Sequence, residues 1–388
     1  MRILYLLSSV SPFGGSSKSF SRLIKGLLES GKDLEVMVCA PSLGGILEDL
    51  KGKANIKLEQ IDLRFNVYPQ LKTIKDYLLF LPKLLYHFLI NIFSYYKLLT
   101  ITKKYQPDII HTNVGVVNIG YKVAKKLKIP HIYHLREYQD KDFGMKIIPS
   151  IQWFKKGLKQ EENSNICITK GIRDHFDLTE CKNTRVIYNP ILSAEAIVFE
   201  REKSKYFLFV GRLDAKKGIF EVLEAFAAFY EERKDYRLKC CGVPSDGNME
   251  LLYTEVERLG IKDGVDFLLM RDDVDIFMRK ATMLIMASES EGFGLVTAEA
   301  MANGCLVVGK DNAGTKEQFD NGLQLVGEEI ALRYNIGNEL VDIMGGVSNE
   351  IDNYFPMIER AQTTIRNFYT TEVVVNQVLD FYKSLCRK

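Results

Sequence analysis

Two carboxylates bracket the stretch Glu291-Gly-Phe-Gly-Leu-Val-Thr-Ala-Glu299. The apolar run Met283-Leu-Ile-Met286 before it reads as a buried strand end. The residues Val296 to Asn303 read as a helix that stops at Gly304. A strand, a glycine loop and a helix start make an anion site, because the first backbone N–H groups of a helix have no partner within it. Phosphate fits there, and a glutamate one turn into the helix can reach a pair of ribose hydroxyls. The segment therefore points to a nucleoside-diphosphate ligand. Positive partners come from Phe209-Val-Gly-Arg-Leu-Asp-Ala-Lys-Lys-Gly218, which also follows a strand and precedes a helix. Arg212 can bind phosphate oxygens in a bidentate way, and Lys217 adds a point charge.

The elements that must position these residues fall into two α/β halves. Strands are expected at Arg2–Leu7, Glu35–Cys39, Asn55–Ile61, Asp108–Thr112, His131–His134, Cys167–Thr169 and Arg185–Tyr188. Helices are expected at Ser17–Ser30 and Gly120–Leu127. In the second half, strands are expected at Tyr206–Val210, Leu238–Cys241, Val265–Leu269, Met283–Met286 and Leu306–Val308. Its helices are expected at Ile219–Glu232, Met249–Leu259, Val274–Lys280 and Val296–Asn303. Strands alternating with helices predict parallel, doubly wound sheets, with ligands at the carboxyl ends of the strands. The expected division is residues 1–195 and 196–370, with a last helix over about 371–388 packing back on the first domain. A central cleft would then lie between two Rossmann-like domains.

A chain of 388 residues with 46% hydrophobic and 26% charged residues is globular and long enough for two domains. Its seven cysteines are scattered without zinc-ligand spacing or a disulfide framework, which suggests a reducing, cytoplasmic compartment. The first apolar run, Ile3 to Leu7, is short for a signal peptide and reads better as a buried strand. The net charge of +2 conceals an asymmetry: residues 51–150 hold 17 Lys/Arg against 7 Asp/Glu. Such a region suits a polyanion or an anionic membrane surface, and no nucleic-acid-binding motif occurs in it.

No acidic residue occurs from Tyr77 to Pro107, where Phe80, Tyr86, Phe88, Phe93, Tyr95, Tyr96 and Tyr105 interleave with Lys83, Lys97, Lys103 and Lys104. The longest uncharged run, Leu84–Tyr96, is shorter than the ~20 residues of a spanning helix. Two readings follow: a helix pair in the core of the first domain, or a basic aromatic face, residues 71–105, lying in a membrane interface.

Taken together, these motifs resemble the retaining GT-B glycosyltransferases of family 4, the glycosyl transferases group 1, of the polysaccharide-assembling type. The family's glutamate pair reads here Glu291-Gly-Phe-Gly-Leu-Val-Thr-Ala-Glu299-Ala-Met-Ala-Asn-Gly304. Its other elements appear as Gly211-Arg212-Leu213 with Lys217-Gly218, Pro12-Phe-Gly14-Gly15, Val186-Ile-Tyr-Asn189-Pro190 and Gly314-Thr-Lys-Glu317. The segment His134-Leu-Arg136-Glu137-Tyr138 is similar to the variant seen in polysaccharide-assembling members. Two departures occur: Cys305-Leu306 stands for the usual Pro-Val, and Phe267-Leu-Leu269 lacks a glycine common before the base site.

The resemblance implies roles. Glu299 would hold the ribose, and Glu291 would contact the donor sugar. Phe293 and the backbone N–H groups of Gly294, Leu295 and Val296 would meet the distal phosphate or sugar. Arg212 and Lys217 would neutralise the leaving diphosphate, and the base would sit near Met270 and Arg271. Gly14 and Gly15 would let backbone approach the diphosphate from the first domain. His134 would lie near the donor sugar, with Arg136 and Glu137 on the acceptor side. His111 is a weaker candidate, and His131 and His175 read as packing residues.

Asp273-Val-Asp275 matches the Asp-x-Asp pattern that holds a divalent metal in other glycosyltransferases, but its place at a helix start marks Asp273 as a cap. The expectation is a metal-independent enzyme without cofactor, using a UDP- or GDP-linked sugar. Its acceptor would be a saccharide or a lipid-linked oligosaccharide, at the inner face of the cytoplasmic membrane. A sugar phosphorylase, a nucleotide-sugar epimerase and a non-catalytic partner subunit are the competing readings.

Overall fold

Short apolar strands alternating with amphipathic helices build two separate parallel sheets in the computed structural model, which describes residues 1–31, 33–69, 71 and 73–386. Lys72 of the basic segment and Arg387 and Lys388 of the last helix lie outside the described residues. The chain divides into two units, residues 1–190 with 371–388, and residues 191–370, so the boundary falls at Pro190 rather than at 195.

The first unit holds β1 (Arg2–Leu6), β2 (Glu35–Ala40), β3 (Ile56–Gln60), β4 (Ile109–Thr112), β5 (His131–Leu135), β6 (Asn163–Cys167) and β7 (Thr184–Val186). They run parallel in the order β3-β2-β1-β4-β5-β6-β7. The order reverses between β1 and β4, which makes the carboxyl ends of these two strands a ligand position by topology. Alternation along the strands sorts the core. Ile3, Tyr5, Ile109 and Ile132 face the helices Gly15–Glu29 and Thr371–Cys386. Leu4, Leu6 and Ile110 face Phe80–Tyr105 and Ile119–Leu127 on the other side.

The strand expected at Cys167–Thr169 starts four residues earlier, at Asn163. Its polar start reads like a loop, yet Asn163 Oδ1 accepts from His131 Nδ1 at 2.7 Å and Asn165 Nδ2 donates to Leu158 O at 2.9 Å. Thr169 instead caps the helix Lys170–His175 by accepting from Ile172 N.

The basic aromatic segment is one helix of 26 residues, Phe80–Tyr105, after a single capped turn at Ile74–Leu78. Only Ser94, Leu98, Thr102 and Tyr105 are buried in it. Core packing therefore accounts for its last part alone. Leu81, Leu85, Phe88, Phe93 and Tyr96 are all more than half exposed, with Leu81 and Phe93 at 71%. The helix is long and apolar enough to cross a membrane, by length and composition, although Lys83 and Lys97 shorten its uncharged run.

The second unit holds β8 (Ser204–Val210), β9 (Arg237–Cys241), β10 (Val265–Leu269), β11 (Ala281–Met286), β12 (Leu306–Lys310) and β13 (Leu332–Tyr334). They are parallel in the order β10-β9-β8-β11-β12-β13. The sequence does not announce β13: three residues show no alternation, and Arg333 in its centre is held by Asp311 and Asp320. The helices Ile219–Glu232 and Val274–Lys280 fall where the periodicity places them.

The last helix buries Val374, Val375, Val378, Leu379, Phe381 and Tyr382 in the first unit's core. Leu379→Ala is expected to cost about 2–5 kcal/mol, as buried leucine truncations do. The measurement is the thermal or urea midpoint of the full chain, and an unchanged midpoint contradicts this packing.

Candidate functional site

In the second unit the strand order reverses between β8 and β11, so the loops leaving these two strands meet although 74 residues separate their key side chains. Lys217 Nζ lies 2.5 Å from Glu291 Oε1, and Ser288 Oγ donates to the same oxygen at 2.8 Å. A backbone bond ties the loops as well, with Glu289 N donating to Lys216 O at 3.1 Å. Gly218 permits this approach. Its φ is 77°, and a Cβ there would lie 2.3 Å from Ala287 O. The pair is three-quarters shielded or more, where an ion pair is stronger than at an open surface.

The helix after β11 is Leu295–Ala302, with Gly294 at its N-cap in the left-handed region at φ 84°. No side chain caps it. Its first intrahelical donor is Thr297 N, bonded to Gly294 O at 3.1 Å, so Leu295 and Val296 N–H precede the helical ladder. Gln318 Nε2 donates to the carbonyls of Phe293 and Gly294, and Gly314 N donates to Glu291 O at 2.9 Å. The loop's carbonyls are thus tied back into the domain. Glu299 is half-buried on the same helix. The structure therefore gathers Lys217, Glu291, Phe293, Gly294, Leu295, Val296 and Glu299 in two neighbouring loops and the helix they open.

Arg212 stands half-exposed in the β8 loop and donates from Nη1 to Ser245 Oγ at 3.3 Å, with Asp214 Oδ2 3.5 Å from its Nε. Sequence reading missed Asp214 and Ser245. Ser245 donates to Asp214 through both N and Oγ. Partial burial works to raise the Asp214 pKa, but the Ser245 hydrogen bonds and the charges of Arg212 and Lys217 outweigh it and leave it lowered. Asp214 was legible as a loop carboxylate, whereas Ser245 follows a different strand and carried no signal.

Met270 and Arg271 follow β10, where Leu269 adopts φ 56°, a conformation that glycine takes more readily. Asp273 does not cap the next helix. Its carboxylate accepts from Arg271 Nε and Nη2 at 2.7 Å each, and a bidentate arginine holds it away from the helix N–H groups. Asp275 is held by Arg279 at 2.9 Å.

In the first unit, the helix after β1 begins at Gly15 with Gly14 as an N-cap that offers no side chain. Lys18 N donates to Gly14 O at 2.9 Å, and Ser17 Oγ turns back to Ser9 O. The same unit holds a buried polar cluster on β1, β4, β5 and the last helix. His134 on β5 is 2% exposed, and His111 on β4 lies beside it with Nε2 3.1 Å from His134 Nδ1. Tyr382 of the last helix reaches His111 Nδ1 at 2.7 Å, and Tyr5 on β1 reaches the Tyr382 hydroxyl at 2.6 Å. The weaker candidate His111 is therefore part of the cluster. Tyr5 and Tyr382, far apart in sequence, could not be found by spacing.

Arg136, expected on the acceptor side, is 4% exposed and turned inward. It donates to Asn113 Oδ1 at 2.8 Å and Asn189 Oδ1 at 2.5 Å, and its Nη2 lies 3.3 Å from His134 Nδ1. Burial lowers its pKa to about 9. Burial first, and then the Arg136 charge, hold both His111 and His134 well below the usual histidine range. Glu137 is pushed up to about 7 by burial and by Asp142. His131 is held between Thr112 and Asn163 as a packing residue, and His175 lies 2.9 Å from Asp140.

Comparison with known proteins bears on these two clusters. Residues 193–329 match the model of the glycosyl transferases group 1. The match lies within the second unit, which carries the Lys217–Glu291 loops. An uncharacterized glycosyltransferase of Methanocaldococcus jannaschii is 30% identical over 202 residues, covering 50% of this chain and 53% of that protein. The alpha-monoglucosyldiacylglycerol synthase of Streptococcus pneumoniae is 30% identical over 244 residues, covering 56% and 54%. The chain thus spans about half the length of the curated relatives it matches. Among solved structures, Anabaena HepE in complex with UDP and glucose superposes with a TM-score of 0.76 at 18% identity, over 99% of this chain and 100% of that one. The fold is GT-B, two doubly wound Rossmann-like sheets of seven and six strands.

The folded-state pKa of Glu137 lies above its unfolded value, so the folded protein binds more protons between the two. Its contribution to stability is present below the ordinary glutamate pKa and lost as pH rises to about 7. Glu137→Gln is expected to gain in melting temperature relative to the unmutated protein as pH increases from about 5 to about 7.5. A difference independent of pH rejects the raised pKa.

Proposed function

We propose that the protein is a retaining, metal-independent glycosyltransferase. It moves a hexose from a nucleoside-diphosphate sugar to a saccharide or lipid-linked oligosaccharide in bacterial surface polysaccharide synthesis. The observation that carries this reading is the shielded Lys217–Glu291 pair beside the helix start at Gly294. Transfer requires a leaving diphosphate that gains negative charge. Lys217, Arg212 and the helix N-terminus supply fixed positive potential where that charge develops. A diphosphate at Lys217 competes with Glu291 for the ammonium and frees the glutamate for the sugar hydroxyls. Glu299, on the helix opened by the same loop, holds the ribose. Met270 and Arg271 meet the base, with Arg271 oriented by Asp273.

Retention follows if the acceptor hydroxyl attacks the face the diphosphate leaves. A diphosphate oxygen then accepts the hydroxyl proton while the new C–O bond forms and the anomeric C–O bond breaks. In the first domain Gly14, whose own N–H donates to Ser11 O at 3.4 Å, lets the backbone approach the diphosphate, Gly15 offers its N–H, His134 touches the donor sugar, and Glu137 faces the acceptor. Arg136 acts through His134 rather than on the acceptor directly. HepE has been crystallised with UDP-glucose, so uridine donors are the first to try, before GDP-linked ones.

The helix Phe80–Tyr105 supports a lipid-linked acceptor. It borders a groove of about 1160 Å³ lined by Leu81, Leu85, Phe88, Ile92, Tyr95 and Ile119. Basic side chains from Lys83 to Lys104, with no carboxylate among them, suit an anionic leaflet. The pneumococcal relative is named for a glycosylated diacylglycerol, which favours the same acceptor class. The expected location is the inner face of the cytoplasmic membrane.

Incubation with a panel of nucleotide sugars tests the reaction class. Diphosphate release accelerated by a glycolipid acceptor supports transfer. Conversion of the nucleotide sugar without diphosphate release indicates an epimerase, and a requirement for inorganic phosphate indicates a phosphorylase. Lys217→Ala should lower kcat by about 10²–10³, the loss typical of one transition-state charge contact. A rate within threefold of the unmutated enzyme rejects this role. Glu299→Ala should weaken donor affinity roughly tenfold to a hundredfold, the value of a charged hydrogen bond, by calorimetry. Co-sedimentation with anionic vesicles at low salt should be lost when Leu81, Phe88 and Phe93 are all replaced by Ser. Vesicle binding that survives these changes moves the membrane contact elsewhere.

A further inference from the structure

We infer that Tyr5, Tyr382 and His111 form a one-way hydrogen-bond relay that fixes His134 as its Nε2–H tautomer. His134 then serves its ligand as a hydrogen-bond donor and not as a base. The direction is set by Arg136. A guanidinium has donors only, and its Nη2 stands 3.3 Å from His134 Nδ1. Nδ1 must therefore present its lone pair. A neutral imidazole with a bare Nδ1 carries its proton on Nε2.

The rest follows link by link. His111 Nε2 faces the same bare Nδ1 at 3.1 Å, so it must donate. His111 is then bare at its own Nδ1 and accepts from the Tyr382 hydroxyl at 2.7 Å. That hydroxyl has used its proton, so it accepts from Tyr5 at 2.6 Å. The reverse direction would aim a His134 Nδ1–H at a cation, and the low dielectric around buried groups makes that arrangement costly. All four side chains are 2% exposed or less. At the end of the relay, His134 Nε2 is buried without a hydrogen-bond partner among the described residues. A buried donor left unpaired is expensive to keep and points to a ligand acceptor, such as a sugar hydroxyl oxygen.

The charged and titratable groups facing His134 come from each neighbouring element. Arg136 after β5 and His111 on β4 touch it directly, Tyr382 on the last helix and Tyr5 on β1 reach it through His111, and Glu137 follows Arg136. Glu137 is the one carboxyl among them; burial pushes it up to about 7, and its charge acts on Arg136. His134 accordingly stays neutral through the physiological range. The last helix thereby positions a residue that the sequence places on the fifth strand.

The tautomer rests on geometry alone, while its catalytic consequence rests on the proposed sugar contact of His134. The test is long-range proton–nitrogen correlation spectroscopy on the full chain labelled with nitrogen-15 histidine, from pH 6 to 8. His134 and His111, assigned by His134→Gln and His111→Gln, should both appear as neutral Nε2–H forms that do not titrate. His131 supplies a reference of the opposite kind, because its Nδ1 must donate to Asn163 Oδ1 and its Nε2 accept from Thr112. Observation of His134 as Nδ1–H or as imidazolium overturns the relay.

In Tyr382→Phe, with His131 signals unchanged as proof of folding, His111 and His134 should show mixed tautomers. The kcat for the donor found in the panel should fall roughly fivefold, the worth of one hydrogen bond, with KM within about twofold. Histidine signals identical to those of the unmutated protein reject the relay. Should Tyr382→Phe fail to fold, Tyr5→Phe removes only the last hydroxyl and must shift the His111 signals. Because the spectra need no turnover, an inactive protein with the expected tautomers would count against the transferase reading alone.

Discussion

The parallel pairing of β8 with β11 is the constraint on which the meeting of Lys217 and Glu291 depends. It makes these strands neighbours although two other strands and their helices lie between them in the chain. Two loops that leave the sheet at the same end must then share one space. Gly218 removes the side chain that would strike Ala287, and the Glu289–Lys216 backbone bond ties the loops together. Lys217 and Glu291 meet as a consequence, shielded and close. An ion pair in such a place is a reserve of charge that an incoming anion can claim. The same loop continues into a helix whose first N–H groups point past an uncapped glycine. Charge, dipole and backbone donors thus converge at one end of the sheet.

The first domain places its chemistry differently. Its polar groups are not on a loop but inside the sheet's covered face, where Tyr5 on β1 and His111 on β4 are register partners. That face is closed by a helix from the far end of the chain, which brings the Tyr382 hydroxyl into an otherwise apolar layer. Buried polar groups tolerate few arrangements, because each donor must find an acceptor. Arg136 adds a buried cation whose Nε and Nη1 donate to Asn113 and Asn189. The result is a histidine whose proton position follows from packing. The opposite sheet face has an unlike fate: its covering helix, Phe80–Tyr105, packs only through its last turns and leaves a row of leucines and aromatics outside.

Much of the Lys217–Glu291 cluster was legible in the residues themselves. The glycine loop, the two glutamates and the Arg212–Lys217 loop are local signals, each written within a dozen residues, and backbone geometry turns them into an anion site wherever they fold. The strands and helices around them follow from apolar periodicity, so the doubly wound class and most element bounds were readable. Failures came where polar residues were buried in pairs, as at Asn163 and Asn165 in β6. They also came where a local rule met a stronger partner, as when Arg271 took the Asp273 carboxylate from the helix start.

The sequence alone therefore determined what is local: the element types, the uncapped helix start at Gly294, and the acid-free run beside the aromatic residues. Tertiary structure alone decided which distant groups meet. Lys217 finds Glu291 only because the sheet reverses its order between β8 and β11. Arg136 turns inward to Asn113 and Asn189, and Tyr382 reaches His111 because the chain returns to cover the first sheet. Spacing along a chain carries no information about such pairs, since their proximity is set by strand order and by the burial of apolar faces. The exposure of the long basic aromatic helix was likewise a matter of which neighbours covered it, and composition could not say.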